Sequence, residues 1–326
     1  MTGLVTIEEI QAASARLAGV IVPTPLVTFS GVEPRLLIKP ECLQPTGSFK
    51  LRGAYAAISA LPEADRKRGV VAHSSGNHAQ AVAYAAAMLG VPATVVVPDN
   101  APEVKLAPAR RFGARIVTCE PTLPARIAAT ERLISQHGYT LIPPFDHRNV
   151  IAGQGTVGLE IAAQCPDVDL VAVPISGGGL ISGIAAAVKA THPGARVIGV
   201  EPELAADARD SFRRGERVTW PASETQRTIA DALRVEQIGA LPFEHIRALV
   251  DDVVTVTEDE IRAAMRRTAA QAHLVAEPGG AVAIAACLSG RDLPEARAPV
   301  AVLSGGNVDP ALFAAILAGG AGTATG

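Results

Sequence analysis

The chain alternates short, almost uniformly apolar runs with longer alanine-rich stretches in which apolar residues recur at helical spacing. The apolar runs are LLIKPE, GVVAHS, ATVVVP, ARIVTC, LVAVPI, RVIGVE and APVAVLSGG. Strands that are apolar on both faces are typical of parallel sheets covered by helices on both sides. The pattern therefore predicts an α/β fold with open, mostly parallel twisted sheets, in which ligands bind beyond the carboxyl ends of the strands.

The stretches between these runs predict helices that begin near Thr6, Gly53, Asn77, Glu103 and Gly179. The segment Gly153–Gly158 matches G-x-G-x-x-G, but only a short apolar run precedes it. We interpret it as a structural glycine turn and not as a dinucleotide site. Pro143 and Pro144 mark the best candidate for a chain crossing between two lobes.

Composition excludes several classes of protein. The 326 residues are 48% hydrophobic and 19% charged, with a formal net charge of −3, which is typical of a globular protein. No basic cluster with interleaved aromatic residues is present, so nucleic acid is not an expected partner. The longest apolar window, residues 79–97, contains Gly90 and Pro92, and the N-terminus lacks a signal-peptide pattern. We expect no membrane association and a cytoplasmic location.

Three consecutive glycines follow the run LVAVPI, within the segment Ser176–Leu180. Because glycine has no Cβ, successive backbone N–H groups can converge there on an anion at the positive end of the next helix. The segment matches neither a P-loop nor a dinucleotide fingerprint. It indicates a phosphate-binding loop, or else a tight turn that only needs small residues.

Small polar residues follow two other runs. The loop Ser74–His78 comes after GVVAHS and leads into a helix, whose first N–H groups suit a substrate carboxylate. Helix capping alone would also explain Ser75 or Asn77, and His78 could be an ordinary buried, hydrogen-bonded residue. Ser304 ends the last run, where a hydroxyl followed by two glycines can bond a ring nitrogen or simply form a turn.

Three oxygen donors follow the run RVIGVE. The Glu201 carboxylate, the Ala205 carbonyl and the Asp207 carboxylate could bind a divalent cation, because hard cations prefer oxygen ligands. A solvated acidic surface would give the same pattern. The residues alone leave both readings open.

Lys50 stands directly after PTGSF and before the helical run LRGAYAAISAL. A lysine, a phosphate-binding loop, a carboxylate-binding loop and a partner for a ring nitrogen are together the requirements of pyridoxal phosphate (PLP). The aldehyde of PLP forms a Schiff base with a lysine, and its ring accepts electrons from the substrate.

The chain resembles the serine/threonine dehydratase family of fold-type II PLP enzymes, in its branch of serine racemases and hydroxyaspartate dehydratases. The resemblance is carried, in order and over nearly the whole chain, by PTGSFKLRGA, SSGNHAQA, VIAGQGT, VPISGGGL, TVTEDEI and LSGGNVD. It implies a tryptophan synthase β-like fold and a homodimer. We expect residues 1–65 and 146–326 to form a large PLP-binding domain, and residues 66–145 a small mobile domain.

The resemblance also implies which residues form the site. It assigns cofactor contacts to Lys50, Phe49, Asn77, Ser176, Gly177, Gly178, Gly179, Leu180 and Ser304. It assigns substrate contacts to Ser74, Ser75, Gly76, Asn77, His78 and Arg126. It makes Glu201, Ala205 and Asp207 the expected ligands of Mg²⁺, or alternatively of Ca²⁺ or Mn²⁺.

Individual roles follow from this assignment. Lys50 is the expected Schiff-base lysine and then the base at the substrate Cα, with Ser75 as an acid/base on the opposite face. Asn77 is expected to bond the ring hydroxyl, and Ser304 to face the ring nitrogen. Arg126 matches an arginine of the same branch and can reach a substrate carboxylate in bidentate fashion, although a solvated helix arginine would look the same.

The leading hypothesis is a PLP-dependent ammonia-lyase that converts L-serine or L-threonine into a 2-oxo acid and ammonia, with serine racemisation as a further activity. The rival is a 3-hydroxyaspartate dehydratase. A β-replacement synthase and a non-catalytic PLP-binding protein are less favoured, because Lys50, Ser75 and the metal oxygens occur together.

Overall fold

The computed structural model describes residues 3–33, 35–290 and 292–319, with the backbone alone at residues 104 and 105. The strands in this part of the chain are β1 (Val27–Thr28), β2 (Leu37–Pro40), β3 (Val70–His73), β4 (Ala93–Pro98), β5 (Arg115–Cys119), β6 (Thr140–Leu141), β7 (Leu170–Pro174), β8 (Arg196–Pro202), β9 (Asp252–Val256) and β10 (Pro299–Leu303). The helices are α1 (Ile7–Leu17), α2 (Lys50–Ser59), α3 (Glu63–Arg68), α4 (Asn77–Met88), α5 (Glu103–Arg111), α6 (Leu123–His137), α7 (Arg148–Gln164), α8 (Gly179–Thr191), α9 (Asp207–Arg214), α10 (Ala222–Thr225), α11 (Ala240–Leu249), α12 (Glu258–Arg267), α13 (Pro278–Ser289) and α14 (Pro310–Leu317).

The described strands form two sheets. The larger has the order β1-β2-β10-β7-β8-β9, and the smaller has the order β5-β4-β3-β6. Every neighbouring pair is parallel except β1 with β2. The central strands are buried on both faces, as their apolar sequences predict. The predicted α/β class with mostly parallel sheets is confirmed.

Helix α1 begins where its cap predicts. The Thr6 hydroxyl accepts a hydrogen bond from the Glu9 backbone N–H, and the Glu9 carboxylate accepts one from the Thr6 N–H, which completes a capping box. Helix α2 differs from the prediction, because it begins at Lys50 and not near Gly53. The backbone of Phe49 is already helical, and its carbonyl accepts from the Arg52 N–H at 3.0 Å. Lys50 therefore lies in the first turn of a helix.

The predicted glycine turn at Gly153–Gly158 is wrong, because the segment lies inside helix α7. Its glycines permit close helix packing instead. A side chain at Gly153 would overlap the Arg52 carbonyl of α2, and one at Gly183 of α8 would overlap the backbone of Gly155. The G-x-G-x-x-G pattern thus marks the point where α2, α7 and α8 meet.

The segment of residues 142–147 runs from β6 of the smaller sheet to α7, which packs on the helices of the larger sheet. It contains the two prolines that predict a chain crossing.

All four cysteines are free. None of the helices in the described ranges is both long enough and apolar enough to span a membrane.

Candidate active site

Lys50 is held at the carboxyl edge of the larger sheet. The backbone N–H of Phe49 donates to the Ser304 carbonyl at the end of β10, at 3.1 Å, and Ser48 pairs with Gly305 in an isolated antiparallel bridge. The loop before α2 is thereby fixed to the loop after β10. Lys50 and Ser304, which are far apart in the sequence, lie side by side.

The Lys50 ammonium is in an environment that favours the neutral amine. Its Nζ donates to the Pro144 carbonyl at 2.9 Å and lies 5.0 Å from the centre of the Phe49 ring. Burial lowers the pKa of Lys50 to about 8, against an opposing effect from Glu277. A lysine must be neutral to act as a nucleophile or a base, so this environment suits both tasks.

The glycine loop connects β7 to the start of α8. Gly178 has a φ of 89°, which is in the left-handed region where glycine is favoured. Side chains at Gly177 or Gly179 would overlap Phe145, which packs directly on the loop. None of the described residues accepts a hydrogen bond from the N–H groups of Gly177–Leu180, although these residues are buried. Buried N–H donors at a helix N-terminus call for an anionic partner.

The loop Ser74–His78 lies at the carboxyl end of β3 and opens helix α4. The Ser74 hydroxyl accepts from the Gly76 N–H at 3.3 Å, and Ser75 is half-buried. Within the described ranges, the N–H groups of Asn77, His78 and Ala79 have no acceptor. This second helix N-terminus can therefore hold a carboxylate.

The His78 side chain has a structural position. Its Nε2 lies 2.8 Å from the Ile142 carbonyl, which makes Nε2–H the donor. Burial, together with the nearby Lys50, lowers the pKa of His78 to about 3, so the imidazole stays neutral. The backbone N–H of His78 remains available for a substrate.

Asn77 connects the two sheets. Its Nδ2 donates to the Glu277 carboxylate at 2.7 Å, and its Oδ1 accepts from Asn307 Nδ2 at 2.8 Å. Sequence reasoning missed Glu277, which is buried at the start of α13. The available signal was an acidic residue within the otherwise apolar run LVAEPGGAVAI.

Arg126 lies in the first turns of α6, near the carboxyl end of the smaller sheet. Its Nε is buried and has no hydrogen-bond partner among the described residues. Burial and the charge of Arg126 lower the pKa of His73, the last residue of β3. A buried guanidinium nitrogen without a partner at this edge favours an anionic ligand group.

The Glu201 and Asp207 carboxyl groups lie close together, at the end of β8 and the start of α9, and Ala205 stands between them in the sequence. The Glu201 carboxylate accepts from the N–H groups of Ala208 and Arg209, at 3.2 and 2.7 Å. Neither carboxyl oxygen of Asp207 makes a hydrogen bond with the described residues, although both are buried. Burial raises the pKa of Asp207 to about 7, and burial together with Asp207 raises that of Glu201.

Two buried carboxyl groups, one of which raises the pKa of the other, favour a cation between them. The described residues contain no site with three or more His, Cys, Asp or Glu side chains that could hold a metal. A cation here would therefore also need carbonyl or water oxygens, such as the Ala205 carbonyl. The residues fit that requirement.

The sequence profile of the family described as "Pyridoxal-phosphate dependent enzyme" matches residues 17–305. The chain belongs to this family. The enzyme is 43% identical to the catabolic L-threonine dehydratase of Escherichia coli K12, over 94% of each chain. It is 38% identical to the L-threo-3-hydroxyaspartate ammonia-lyase of Saccharomyces cerevisiae, over 96% of this chain and 97% of the relative. The structure of maize serine racemase matches with a TM-score of 0.91 and 38% identity, over 95% of each chain.

PLP fits the residues of this enzyme on two independent observations. The buried N–H donors of Gly177–Leu180 form a cradle for a phosphate group at the positive end of α8. The Lys50 amine, with its lowered pKa, is suited to condense with the aldehyde. The predicted fold-type II PLP enzyme is confirmed, in the suspected family and branch.

Proposed function

We propose that the enzyme eliminates water from a hydroxy amino acid, L-serine or L-threonine, and releases a 2-oxo acid and ammonia, with serine racemisation as a further activity. The observation that carries the proposal is the partly buried Lys50 amine, whose pKa is near 8, beside two helix N-termini with free donors. When bound, PLP supplies an electron sink for the negative charge that develops at the substrate Cα.

The cofactor would be held by residues from both sheets. The Gly177–Leu180 N–H groups and Ser176 would hold the phosphate, Phe49 and Lys50 would lie beside the reacting carbon, and Asn77 and Ser304 would contact the polar atoms of the ring. The Ser304 hydroxyl would be a neutral partner for the ring nitrogen and would leave it largely unprotonated. This favours elimination over transamination.

The chain's own groups then divide the proton transfers. The N–H groups at the start of α4, together with Ser74, Ser75 and Gly76, hold the substrate carboxylate. Lys50 takes the proton from Cα on one face. Ser75 gives or takes a proton on the opposite face, which is what racemisation requires.

A 3-hydroxyaspartate dehydratase is the second candidate, and the buried, unpartnered Nε of Arg126 favours it. A guanidinium at this edge can pair with a second substrate carboxylate, which serine and threonine lack. The two candidates use the same chemistry and differ only in what Arg126 contacts.

A substrate panel tests the function. Purified enzyme with PLP is assayed for 2-oxo acid from L-serine, L-threonine and the hydroxyaspartate diastereomers. We expect serine or threonine to be turned over at least as well as hydroxyaspartate. A kcat/KM for hydroxyaspartate more than about a hundredfold higher, which is close to 3 kcal/mol of transition-state binding, would reverse the order of the two candidates.

The Arg126→Met variant, assayed with the same substrates, tests which carboxylate Arg126 binds. If Arg126 binds a second carboxylate, the variant loses roughly 10- to 100-fold in kcat/KM for hydroxyaspartate and keeps its serine activity, because one charge-assisted pair contributes about 1.5–3 kcal/mol. Arg132→Met, which changes an exposed arginine of the same helix, is the matched control. Equal losses on all substrates would assign Arg126 to the common carboxylate instead.

We propose that Glu201, the Ala205 carbonyl and Asp207 bind Mg²⁺, with Ca²⁺ and Mn²⁺ as alternatives. The cation would remove the energetic cost of placing two carboxyl groups in one buried site. The site adjoins the glycine loop, because the Gly239 N–H donates to the Gly177 carbonyl at 3.1 Å and the preceding Ile238 lies beside Asp207. Its expected effect is therefore on the stability of the phosphate-binding region.

Chelation tests the cation site. A ligand at a hundred times its dissociation constant adds about 2.7 kcal/mol to the free energy of unfolding, so we expect EDTA to lower the unfolding temperature by roughly 4 °C. Added Mg²⁺ should restore it. Asp207→Asn should make the unfolding temperature insensitive to both reagents, whereas Asp259→Asn, at an exposed carboxylate, should respond like the parent. An unchanged unfolding temperature of the parent in EDTA would exclude a stabilising cation.

We also propose, from the family resemblance, that the enzyme is a cytoplasmic homodimer. Residues 66–145 would form its small mobile domain, and residues 1–65 and 146–326 its large PLP-binding domain. The strands β3 to β6 of the smaller sheet all lie within residues 66–145, which supports this division.

A further inference from the structure

Both ends of the Asn77 amide are fixed, by Glu277 at the start of α13 and by Asn307 in the loop after β10. Nδ2 donates one hydrogen to Glu277 Oε1 at 2.7 Å, and Oδ1 accepts from Asn307 Nδ2 at 2.8 Å. The amide therefore cannot rotate by 180° without losing both hydrogen bonds. Nδ2 retains one further hydrogen, whose direction is determined by the first.

Glu277 lies in a tightly packed position. Its backbone N–H donates to the Gly305 carbonyl at 3.1 Å, and a side chain at Gly305 would overlap the Glu277 carboxyl group. Asn307 is also tightly packed. Its Nδ2 donates to the Thr46 carbonyl at 2.8 Å, and a side chain at Gly47 would overlap the Asn307 side chain. Glu277 has only 4% of its surface exposed. It is a fixed carboxyl group and not a mobile one.

Burial is the main effect that favours the neutral form of Glu277. Burial and the Asp231 carboxylate raise its pKa to about 8, against the opposing effects of Asn77, Lys50 and the Asn307 backbone N–H. Cys42 also lies near this carboxyl group, and burial raises the pKa of its thiol to about 12, so it carries no charge at neutral pH. A neutral carboxyl beside the site avoids repulsion with an anionic ligand.

We propose that Glu277 is a positioning residue that orients Asn77 so that its remaining N–H faces the ring oxygen of PLP. The inference rests on the proposed contact between Asn77 and the ring. It explains why a carboxyl group is buried beside a cofactor that carries negative charge. An ionised Glu277 would still accept from Asn77 but would repel that charge.

The test is the PLP dissociation constant of Glu277 variants, measured by absorbance titration at pH 7 and pH 9. At pH 7, Glu277→Gln should bind PLP within about threefold of the parent, because a neutral amide oxygen replaces a neutral acid. Glu277→Ala should bind about tenfold or more weakly, since one hydrogen bond worth roughly 1.4 kcal/mol is lost and Asn77 is released. Glu63→Gln, at an exposed site, is the matched control.

The pH dependence separates positioning from packing. From pH 7 to pH 9 the parent should lose more affinity for PLP than Glu277→Gln, because only the parent gains a negative charge there. Lys50 titrates in both proteins, and its pKa should be lower in Glu277→Gln because the parent's Glu277 raises it. The difference between them therefore reports on Glu277, and unfolding temperatures show whether each variant is folded.

Two results would overturn the inference. Equal weakening by Gln and Ala at pH 7 would exclude the neutral-acid role, and unchanged affinity in Glu277→Ala would exclude positioning altogether. Failure of the proposed function has a different signature. An enzyme that binds PLP with these affinities but forms no 2-oxo acid from any substrate of the panel would leave this inference standing.

Discussion

Lys50→Ala is expected to lower the rate of 2-oxo acid formation about 10³-fold or more, which is within the range of losing a positioned general base together with a covalent anchor. The Lys50 amine is the only one among the described residues that combines burial beside both helix N-termini with a pKa lowered to about 8. The variant also loses the visible absorbance of lysine-bound cofactor. Rates and spectra of parent and variant are measured with saturating PLP.

Two controls make this result specific. Lys67→Ala removes an exposed lysine whose only described ion pair is with Glu63, and it should keep parental activity. Added ethylamine supplies a small free amine and should restore part of the Lys50→Ala rate if proton transfer is the missing step. A Lys50→Ala variant with more than about a tenth of parental activity would contradict the assignment, because general-base loss alone costs about 10²-fold or more.

The pH dependence of the parent's activity should follow the ionisation of the Lys50 amine. The neutral form of Lys50 is favoured as the pH rises through about 8, so the activity of the free enzyme should increase from pH 7 to pH 9. Ionisation of Glu277 near the same pH opposes this increase. Each group shifts the pKa of the other, and the measured profile therefore belongs to the pair.

The fold was largely predictable from the sequence because its strands are local signals. Runs such as ATVVVP and LVAVPI are apolar on both faces, and they are followed directly by the loops that carry chemistry. The strands that escaped prediction are β1 and β6, which have two residues each, and β9, whose first residue is polar and exposed. Such strands are defined by their neighbours in the sheet and not by their own pattern.

The parts of the site that escaped prediction depend on contacts between distant residues. Glu277 and Asn77 are separated by 200 positions, and neither belongs to a pattern that would pair them. The glycines of α7 resembled a turn because the sequence does not show that Gly155 packs on Gly183. Local motifs therefore located the loops, whereas the electrostatics of the site required the structure.

The second large effect is expected at Arg52, two residues after Lys50 in helix α2. Its side chain is fully buried and uses all five of its N–H donors. Nε and Nη2 donate to the two carboxylate oxygens of Glu41 at 2.7 and 2.8 Å, and the remaining donors reach Glu160 and Thr156. Lys39, whose Nζ lies 2.6 Å from Glu160, completes a group of four charges whose sum is zero.

Arg52→Met is expected to lower the free energy of unfolding by about 3–5 kcal/mol, because it keeps most of the volume but leaves the Glu41 carboxylate buried without its partner. Urea denaturation at pH 7 measures the loss. Lys67→Ala breaks an exposed ion pair and should cost less than about 1 kcal/mol. Adding Glu41→Gln to Arg52→Met should recover part of the stability, since it removes the charge that was left behind.

The loss of stability in Arg52→Met should be largest at neutral pH and smaller at acid pH. Burial alone would raise the pKa of Glu41, but Arg52 and Lys39 outweigh it and hold that pKa below its ordinary value of 4.5. The stabilisation is therefore present above pH 4.5 and is lost as the pH falls through the lowered value. The difference in the free energy of unfolding between the parent and Arg52→Met should become smaller at acid pH. If this difference in the free energy of unfolding is under 1 kcal/mol at pH 7, or does not change with pH, then packing and not charge stabilises the position of the helix that carries Lys50.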